Sequence, residues 1–204
     1  MASNTFTLTS DVNIEITITE LIDGSLQFDL VVLNDTGSIG DLNAFYFDML
    51  GDSIPDDLSA YGDDVTGTAF KEEGVTKVDN FTNMNGEVVK DLGKFDGGVQ
   101  FGSQGIGEDD IRETSFTLSS DSTVLTLEMF SLQDIGARLT SVGEEGGSRD
   151  GSLKIGGTSP ELEVEEPEGP TEEVCETMSV LAIEMYNSET SFGTPDFFDF
   201  LASS

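Results

Sequence analysis

Hydrophobic and polar residues alternate along the first part of the chain. Between positions 5 and 19 (TFTLTSDVNIEITIT), apolar side chains occupy almost every second position. A period of two is typical of strands with one buried face, so this segment predicts two strands or one bent strand. A turn at Asp23-Gly24 precedes a further alternating run, SLQFDLVVL. We therefore predict a β-hairpin over residues 13–33.

The next segments have a weaker pattern. DLNAFYFDML, residues 41–50, places apolar side chains on both faces and predicts a strand buried on both sides. Residues 51–77 lack alternation and are rich in aspartate, which predicts a long acidic loop, with a short helical turn at 55–60 as an option. Beyond it, the sequence predicts short strands around Val78, Phe81, 88–89 and 99–101, separated by turns at Asn85-Gly86 and Asp96-Gly97-Gly98.

Two alternating runs, 114–119 and 123–130, predict a central hairpin that turns at Ser120-Asp121. Residues 135–141 and 152–155 predict two further strands. Roughly nine or ten short strands with almost no helical periodicity indicate an all-β fold. We predict a single β-sandwich of jelly-roll type over residues 1–157.

The composition changes after residue 157. The stretch TSPELEVEEPEGPTEE contains three prolines and seven glutamates, which predicts an extended acidic linker over residues 158–174. Residues 175–204 are apolar again and end in a hydrophobic cluster formed by Phe197, Phe198, Phe200 and Leu201. Three interpretations of this tail stay open: an uncleaved export signal, an element that joins subunits, or a segment that folds back on the sandwich.

The charge of the chain is strongly unbalanced. Forty-one acidic and 8 basic residues give a formal net charge of −33. Such a charge opposes binding to nucleic acid or to an anionic membrane and favours divalent cations. No stretch reaches the roughly 18 apolar residues that a membrane-spanning helix needs, so we predict no membrane insertion. The first residues lack the basic and apolar regions of a signal peptide, which predicts a cytosolic protein or export through another signal.

The residue types required for most catalysis are missing. The chain has no histidine and a single cysteine, Cys175, so a serine or cysteine nucleophile lacks its usual base and a structural zinc site lacks ligands. No carboxylate pair marks a cleft for glycoside hydrolysis, and tryptophan, the usual sugar-stacking residue, is absent. We therefore predict that the protein is not an enzyme.

An acidic glycine turn, GIGEDDI at residues 105–111, fits the later positions of the calcium-binding nonapeptide GGxGxDxUx. Gln104 stands where the first glycine belongs, and only one copy is present, which excludes a stacked calcium-binding roll. Two interpretations remain: a calcium loop within the sandwich, or a plain acidic turn. The candidate calcium ligands are Glu108, Asp109, Asp110, Asp63 and Asp64.

Several of these stretches resemble a known family. The runs FGSQGIGEDDIRETSFTLS, LTLEMFSLQDIGARLTSVG and GSLKIGG, with DLNAFYFDML, resemble a β domain of RTX-type bacterial surface proteins, which depend on calcium and leave the cell by type I secretion. The ending PDFFDFLASS resembles their uncleaved C-terminal signal. The resemblance covers about residues 25–157 and implies a secreted protein, extracellular or at the cell surface, with roles in adhesion or biofilm. The RTX repeats themselves are missing, so calcium binding by repeats is not implied.

These observations predict a secreted structural protein that assembles with copies of itself into a filament, layer or matrix, with calcium as an aid. Subunits would join by inserting a terminal segment into a neighbour's sheet. The candidate joining residues are Phe6 and Leu8 near the N-terminus and the apolar cluster of the tail. The alternative is a β-sandwich module that binds carbohydrate or another surface ligand.

Overall fold

The computed structural model describes residues 1–51, 54–86, 89–103 and 109–162. The described residues form ten strands and two short 3-10 helices. The strands are β1 (Ser3–Leu8), β2 (Ile14–Glu20), β3 (Leu26–Val32), β4 (Ser38–Phe47), β5 (Ser59–Tyr61), β6 (Val65–Val75), β7 (Phe95–Phe101), β8 (Glu113–Ser119), β9 (Asp134–Glu144) and β10 (Gly151–Thr158). The 3-10 helices are Lys90–Leu92 and Leu127–Phe130.

The strands form two antiparallel sheets that pack face to face. The first sheet has the order β1-β2-β3-β8-β5, and the second has the order β10-β9-β4-β7-β6. The predicted all-β sandwich is therefore confirmed. Within that class, the chain crosses between sheets from β3 to β4 and from β8 to β9, and it places β3 beside β8 and β4 beside β9. This order places the consecutive strands β1, β2 and β3 side by side in one sheet, and the jelly-roll type within the sandwich class stays a prediction.

The main core lies between the sheets and is rich in phenylalanine. The Phe28 ring lies at its centre, stacked on Phe116 with ring centroids 4.7 Å apart and in edge contact with Phe130 at 5.2 Å. Phe45 and Phe47 of β4 close around the same ring, at 5.8 and 6.0 Å. Burying each such ring contributes roughly 1.5–3 kcal/mol, so this cluster joins the two sheets.

A second, smaller core covers the outer face of the second sheet. The chain between β6 and β7, of which residues 76–86 and 89–94 are described, lies over this face; we call it the cover segment. Its Met84 and Val89 pack with Tyr46, Val75 and other buried side chains. The predicted burial of β4 on both faces is confirmed, because nine of its ten residues are buried.

Tyr46 links the cover segment to the sheet. Its side chain is fully buried, and its hydroxyl donates a hydrogen bond to the Thr82 carbonyl and accepts one from the Val78 amide at 3.3 Å. These two hydrogen bonds satisfy the Tyr46 hydroxyl, whose burial without partners would cost free energy. The cover segment is thus held by packing and by specific hydrogen bonds.

The hairpin predicted over residues 13–33 is confirmed, since β2 and β3 pair with Ile14 opposite Val32. The strands predicted at 114–119, 135–141 and 152–155 correspond to β8, β9 and β10.

The acidic loop predicted for residues 51–77 is wrong, because this stretch contains β5 and β6. Both are edge strands. The side chains of β6 are mostly exposed or half-buried, so its sequence shows no clean alternation of apolar and polar residues. The turn predicted at Asp96-Gly97-Gly98 is also wrong, because these residues lie inside β7. A Cβ atom on Gly97 would lie 2.3 Å from the Phe47 ring, so glycine is needed there for close packing.

The hairpin predicted from 114 to 130 is wrong as well. β8 pairs with β3 and β5, and the chain after it forms the 3-10 helix Leu127–Phe130. Leu125, Leu127 and Phe130 are buried, so their apolar spacing reflects core filling without strand pairing. Around Val78 and Phe81 the described residues form bends without a strand.

The sandwich, as a compact unit, runs from Met1 to Leu162. After β10, the Ser159 hydroxyl accepts a hydrogen bond from the Gln133 amide at 3.0 Å, and the Leu162 amide donates to the Ser131 hydroxyl at 3.1 Å. The rest of the predicted linker and the tail with its candidate residues Phe197, Phe198, Phe200 and Leu201 lie outside the described residues. No helix in the described part of the chain has the length and apolar composition required to cross a membrane.

Candidate functional site

Asp41 is a carboxylate with no solvent exposure, on β4. The Ile111 amide donates a hydrogen bond to its Oδ1 at 3.0 Å. Its Oδ2 accepts from the Asn43 side-chain amide at 3.0 Å and from the Thr140 hydroxyl at 3.3 Å. These donors hold the buried carboxylate to its own strand, to β9 and to the segment before β8.

Asn43 occupies an irregular position of the same strand. Leu42 and Ala44 pair with adjacent residues of β9, so Asn43 is the extra residue of a β-bulge. Bulges redirect side chains and occur often beside functional sites. The Asn43 side-chain nitrogen points to Asp41 and, at 3.5 Å, to the Ser103 carbonyl, whereas its Oδ1 is buried without a hydrogen-bond partner. The amide orientation follows from the Asp41 contact, because a flipped amide would set two oxygens against each other.

Asp109 completes the cluster from the segment before β8. Its Oδ2 accepts the Ser103 amide at 2.8 Å, and its Oδ1 is buried without a partner. Within the described ranges, three buried side-chain polar atoms lack a partner, and the only two oxygens among them belong to Asn43 and Asp109. Two buried acceptor oxygens without partners in one cluster indicate that a hydrogen-bond donor or a cation binds there.

The electrostatics of this cluster are unbalanced. Burial raises the pKa of the Asp41 carboxyl, and the negative charge of Asp109 raises it further, while the hydrogen bonds from Ile111, Asn43 and Thr140 oppose the rise. Among the described residues, no lysine or arginine forms an ion pair with Asp41 or Asp109. This arrangement can share a proton between carboxylates or bind a hard cation.

Asp110, the next residue and a predicted calcium ligand, has arginine partners instead. Arg149 donates to its Oδ1 at 2.7 Å and its Oδ2 at 2.8 Å, and Arg112 donates to Oδ2 at 3.0 Å. These contacts hold the pKa of Asp110 below its usual range. Arg112 also pairs with Glu145 at 2.8 Å. Asp110 is therefore occupied by an ion-pair network and is not free to bind calcium.

Asp63 and Asp64 lie elsewhere, in a groove of about 540 Å³ along the outer face of the first sheet. Because β5 has only three residues, the groove opens where this strand ends beside β8. The Thr114 hydroxyl donates to the Asp64 carboxylate at 2.8 Å. Tyr61, 57% exposed, and Glu113 line the same groove.

Of the five predicted calcium ligands, only Asp109 joins the Asp41 cluster, and Glu108 lies outside the described residues. In the described part of the chain, no group of three or more histidine, cysteine, aspartate or glutamate side chains is placed to hold a metal. Sequence reasoning did not single out Asn43. Its available signal was a second polar residue, two positions after Asp41, in a strand that is mostly apolar.

The predicted joining residues of the N-terminus lie on β1, at the edge of the first sheet. Leu8 is buried in the main core, and Phe6 packs against that core opposite Ile16 of β2. These side chains therefore contribute to the sandwich of their own chain.

Comparisons of the chain with known protein families, with curated proteins and with solved structures found no match.

Proposed function

We propose that the protein is a non-enzymatic structural subunit that joins copies of itself into an extracellular filament, layer or matrix. The observation that supports this proposal best is the edge strand β1. An exposed strand edge offers unpaired backbone groups to another strand, and natural proteins usually protect such edges.

Three of the four edge strands in the described sheets carry a recognised protective feature. β5 has only three residues. β10 contains Lys154 and a register irregularity between Gly151 and Leu153. β6 contains Lys71 with two glutamates, has two irregularities, and takes a positive φ of 41° at Glu73. Charge, bulges and shortness each discourage strand pairing between molecules.

β1 has none of these features. Its sequence, SNTFTL, contains no charge and no proline, and its six residues pair with β2 without any irregularity. In a chain with a formal charge of −33, an uncharged regular edge is the place where a neighbour's strand meets the least repulsion. We propose that a segment of another copy, with the tail as the first candidate, pairs there. Secretion of the subunit rests on the resemblance to type I-secreted surface proteins.

The test compares matched substitutions on two edges. Thr5→Asp adds a charge to an exposed position of β1, and Thr68→Asp adds the same charge to an exposed position of β6. Assembly of purified protein is followed by size-exclusion chromatography and negative-stain microscopy. We expect Thr5→Asp to reduce the assembled fraction by about tenfold, because like charges brought together at an interface cost several kcal/mol. Thr68→Asp should assemble as the parent does.

A parent protein that stays monomeric at high concentration, with and without calcium, would contradict the proposal, as would equal assembly by both variants. Deletion of residues 175–204 identifies the inserted segment: loss of assembly assigns it to the tail, and retained assembly assigns pairing to the sandwich itself.

The groove on the first sheet favours a second candidate, a module that binds carbohydrate. Its lining combines one exposed aromatic ring, Tyr61, with carboxylates such as Asp29 and Glu113. Aromatic rings and carboxylates suit the apolar faces and hydroxyl groups of sugars. Binding of glycans by a monodisperse monomer, abolished by Tyr61→Ala, would favour this candidate over assembly.

A further inference from the structure

We propose that Asn43, Asp109 and Asp41 form a binding site for a single Ca²⁺ ion. The site differs from the acidic turn that the sequence suggests, because it includes an amide oxygen from β4 and excludes Asp110. It stands independently of the assembly proposal, since ion binding is measured on the monomer.

The first argument is the supply of free oxygen atoms. Asn43 is 4% exposed, and its Oδ1 has no partner even though its nitrogen is fixed by Asp41. Asp109 Oδ1 is also buried and unpaired. A buried acceptor left unsatisfied is unfavourable, so two in one cluster indicate a missing ligand.

The second argument is charge. Asp41 and Asp109 lie close enough for their charges to interact, and the described residues supply no cationic side chain between them. A water molecule would satisfy the orphan oxygens but would leave both negative charges uncompensated. A divalent cation would bind the unpaired oxygens and also compensate the two negative charges, because carboxylate and amide oxygens are its preferred ligands.

The third observation is a small space beside Asn43. A cavity of about 20 Å³ is lined by Asn43, Ser103, Gln100 and Asp79 among others, and Asp41 and Asp109 are not among its lining residues. A volume of this order holds one water-sized particle.

The choice of ion follows from the donors. All of them are oxygens, of carboxylate and amide type, on an irregular stretch of strand and a connecting segment. Calcium accepts such mixed and irregular ligand sets, whereas magnesium requires a near-octahedral arrangement and retains its water. Zinc is disfavoured because the chain has no histidine and its one cysteine is distant in sequence.

The experiment measures calcium binding to the full chain after treatment with EDTA and dialysis. Isothermal titration gives the stoichiometry and the dissociation constant, and thermal unfolding gives the shift in Tm. We expect one ion and a rise in Tm of about 5–10 °C at a calcium concentration of one hundred times the dissociation constant. Magnesium serves as the comparison ion and should bind more weakly.

Two neighbouring substitutions separate ion binding from a structural role. Asp109→Asn removes a ligand charge but also relieves its repulsion with Asp41, so its Tm in EDTA should equal or exceed that of the parent, while its calcium affinity falls by about tenfold or more. Asp110→Asn deprives Arg149, whose side chain is 8% exposed, of its charged partner. It should lower Tm in EDTA and leave calcium affinity within about twofold.

Absence of calcium binding by the parent would overturn the proposal and assign the cluster to a shared proton or a bound water. Equal calcium affinity in the parent and in Asp109→Asn would overturn it too, because the ion would then bind at another acidic group.

Discussion

The outer faces of the two sheets differ. No segment in the described part of the chain covers the outer face of the first sheet. β2 and β3 alternate between buried and half-buried residues, and β1 alternates between half-buried and exposed ones up to the buried Leu8. The second sheet has the cover segment on its outer face, so β4 is buried on both sides and Tyr46 is as inaccessible as the central Phe28. Alternation in sequence therefore reports one-sided burial, and its loss in this chain has two opposite causes: a covered face in β4 and an exposed edge in β6.

The largest expected effect comes from opening the covered face. Tyr46→Ala removes a fully buried ring together with its hydrogen bonds to the cover segment, and should lower the free energy of unfolding by about 3–5 kcal/mol in urea denaturation. Thr17→Ala, on the outer face of the first sheet, removes one hydrogen bond with the Thr5 hydroxyl at 2.9 Å and should lower it by no more than about 1 kcal/mol. Similar losses for both variants would contradict the difference between the faces.

A smaller effect is expected from filling space within the second sheet. Gly97→Ala places a methyl group against the Phe47 ring, and overpacking of this kind costs about 1–3 kcal/mol. The comparison variant is Gly157→Ala on β10, whose new Cβ would lie 3.2 Å from the flexible end of Leu8 and should cost less. Thermal unfolding checks both. If Phe47→Leu in the Gly97→Ala background partly restores Tm, the Phe47 ring is the cause of the destabilisation. An unchanged loss of Tm would refute this explanation.

The smallest expected effect is a pH dependence located at the end of β4. Burial, followed by the nearby charge of Asp96, raises the pKa of Asp48 to about 7, and the charges of Asp134 and Glu73 add to the rise, while the Asp96 amide opposes it. Because the pKa of Asp48 in the folded state lies above the ordinary value of 3.8, the folded state binds the proton more tightly than the unfolded state does. The cost of the charged form is thus absent below pH 4, grows between pH 4 and 7, and is complete above pH 7.

Asp48→Asn removes this cost and keeps an oxygen to accept the Asp96 amide, which donates to Asp48 at 2.9 Å. We expect it to stabilise the protein by about 1–2 kcal/mol at pH 8, a value reduced from the full shift because the side chain is only half-buried, and to have little effect at pH 4. Unfolding midpoints measured from pH 4 to 8 test this. Asp29→Asn, which removes the same charge from the open face of the first sheet, controls for net charge; an equal gain from it would contradict a local origin.

The parts of the fold that sequence predicts are those governed by local pattern. The β2–β3 hairpin follows from the spacing of residues such as Ile14, Ile16 and Phe28, because a strand buried on one face has apolar residues at every second position. β6 and the first half of β7 could not be predicted in this way, since their pairing depends on neighbours distant in sequence, whereas the strand predicted at 99–101 is the end of β7. Gly97 resembles a turn residue until the Phe47 ring is placed beside it.

The candidate site shows the same division. Asp109 is visible in the sequence as part of an acidic turn, and so is Asp110. The structure separates them, because Arg149 pairs with Asp110 whereas Asp109 lies with Asn43 and Asp41. Neither the pairing of Asp110 with Arg149 nor the bulge at Asn43 can be recognised in the nearby sequence. The residues of the site could therefore be identified only from the structure.

The cover segment also divides the molecule into parts that can open separately. Its described residues add no strand to either sheet, so we expect that it can lift from the second sheet while the ladders of both sheets stay paired. We expect such partial opening to cost less free energy than complete unfolding and to set how fast the backbone amides of Val78 and Met84 exchange their hydrogens with solvent. We expect the amides of β3, between two strands of the first sheet, to exchange only when the sandwich itself comes apart. Hydrogen exchange should therefore divide the chain into two regimes at the Tyr46 ring.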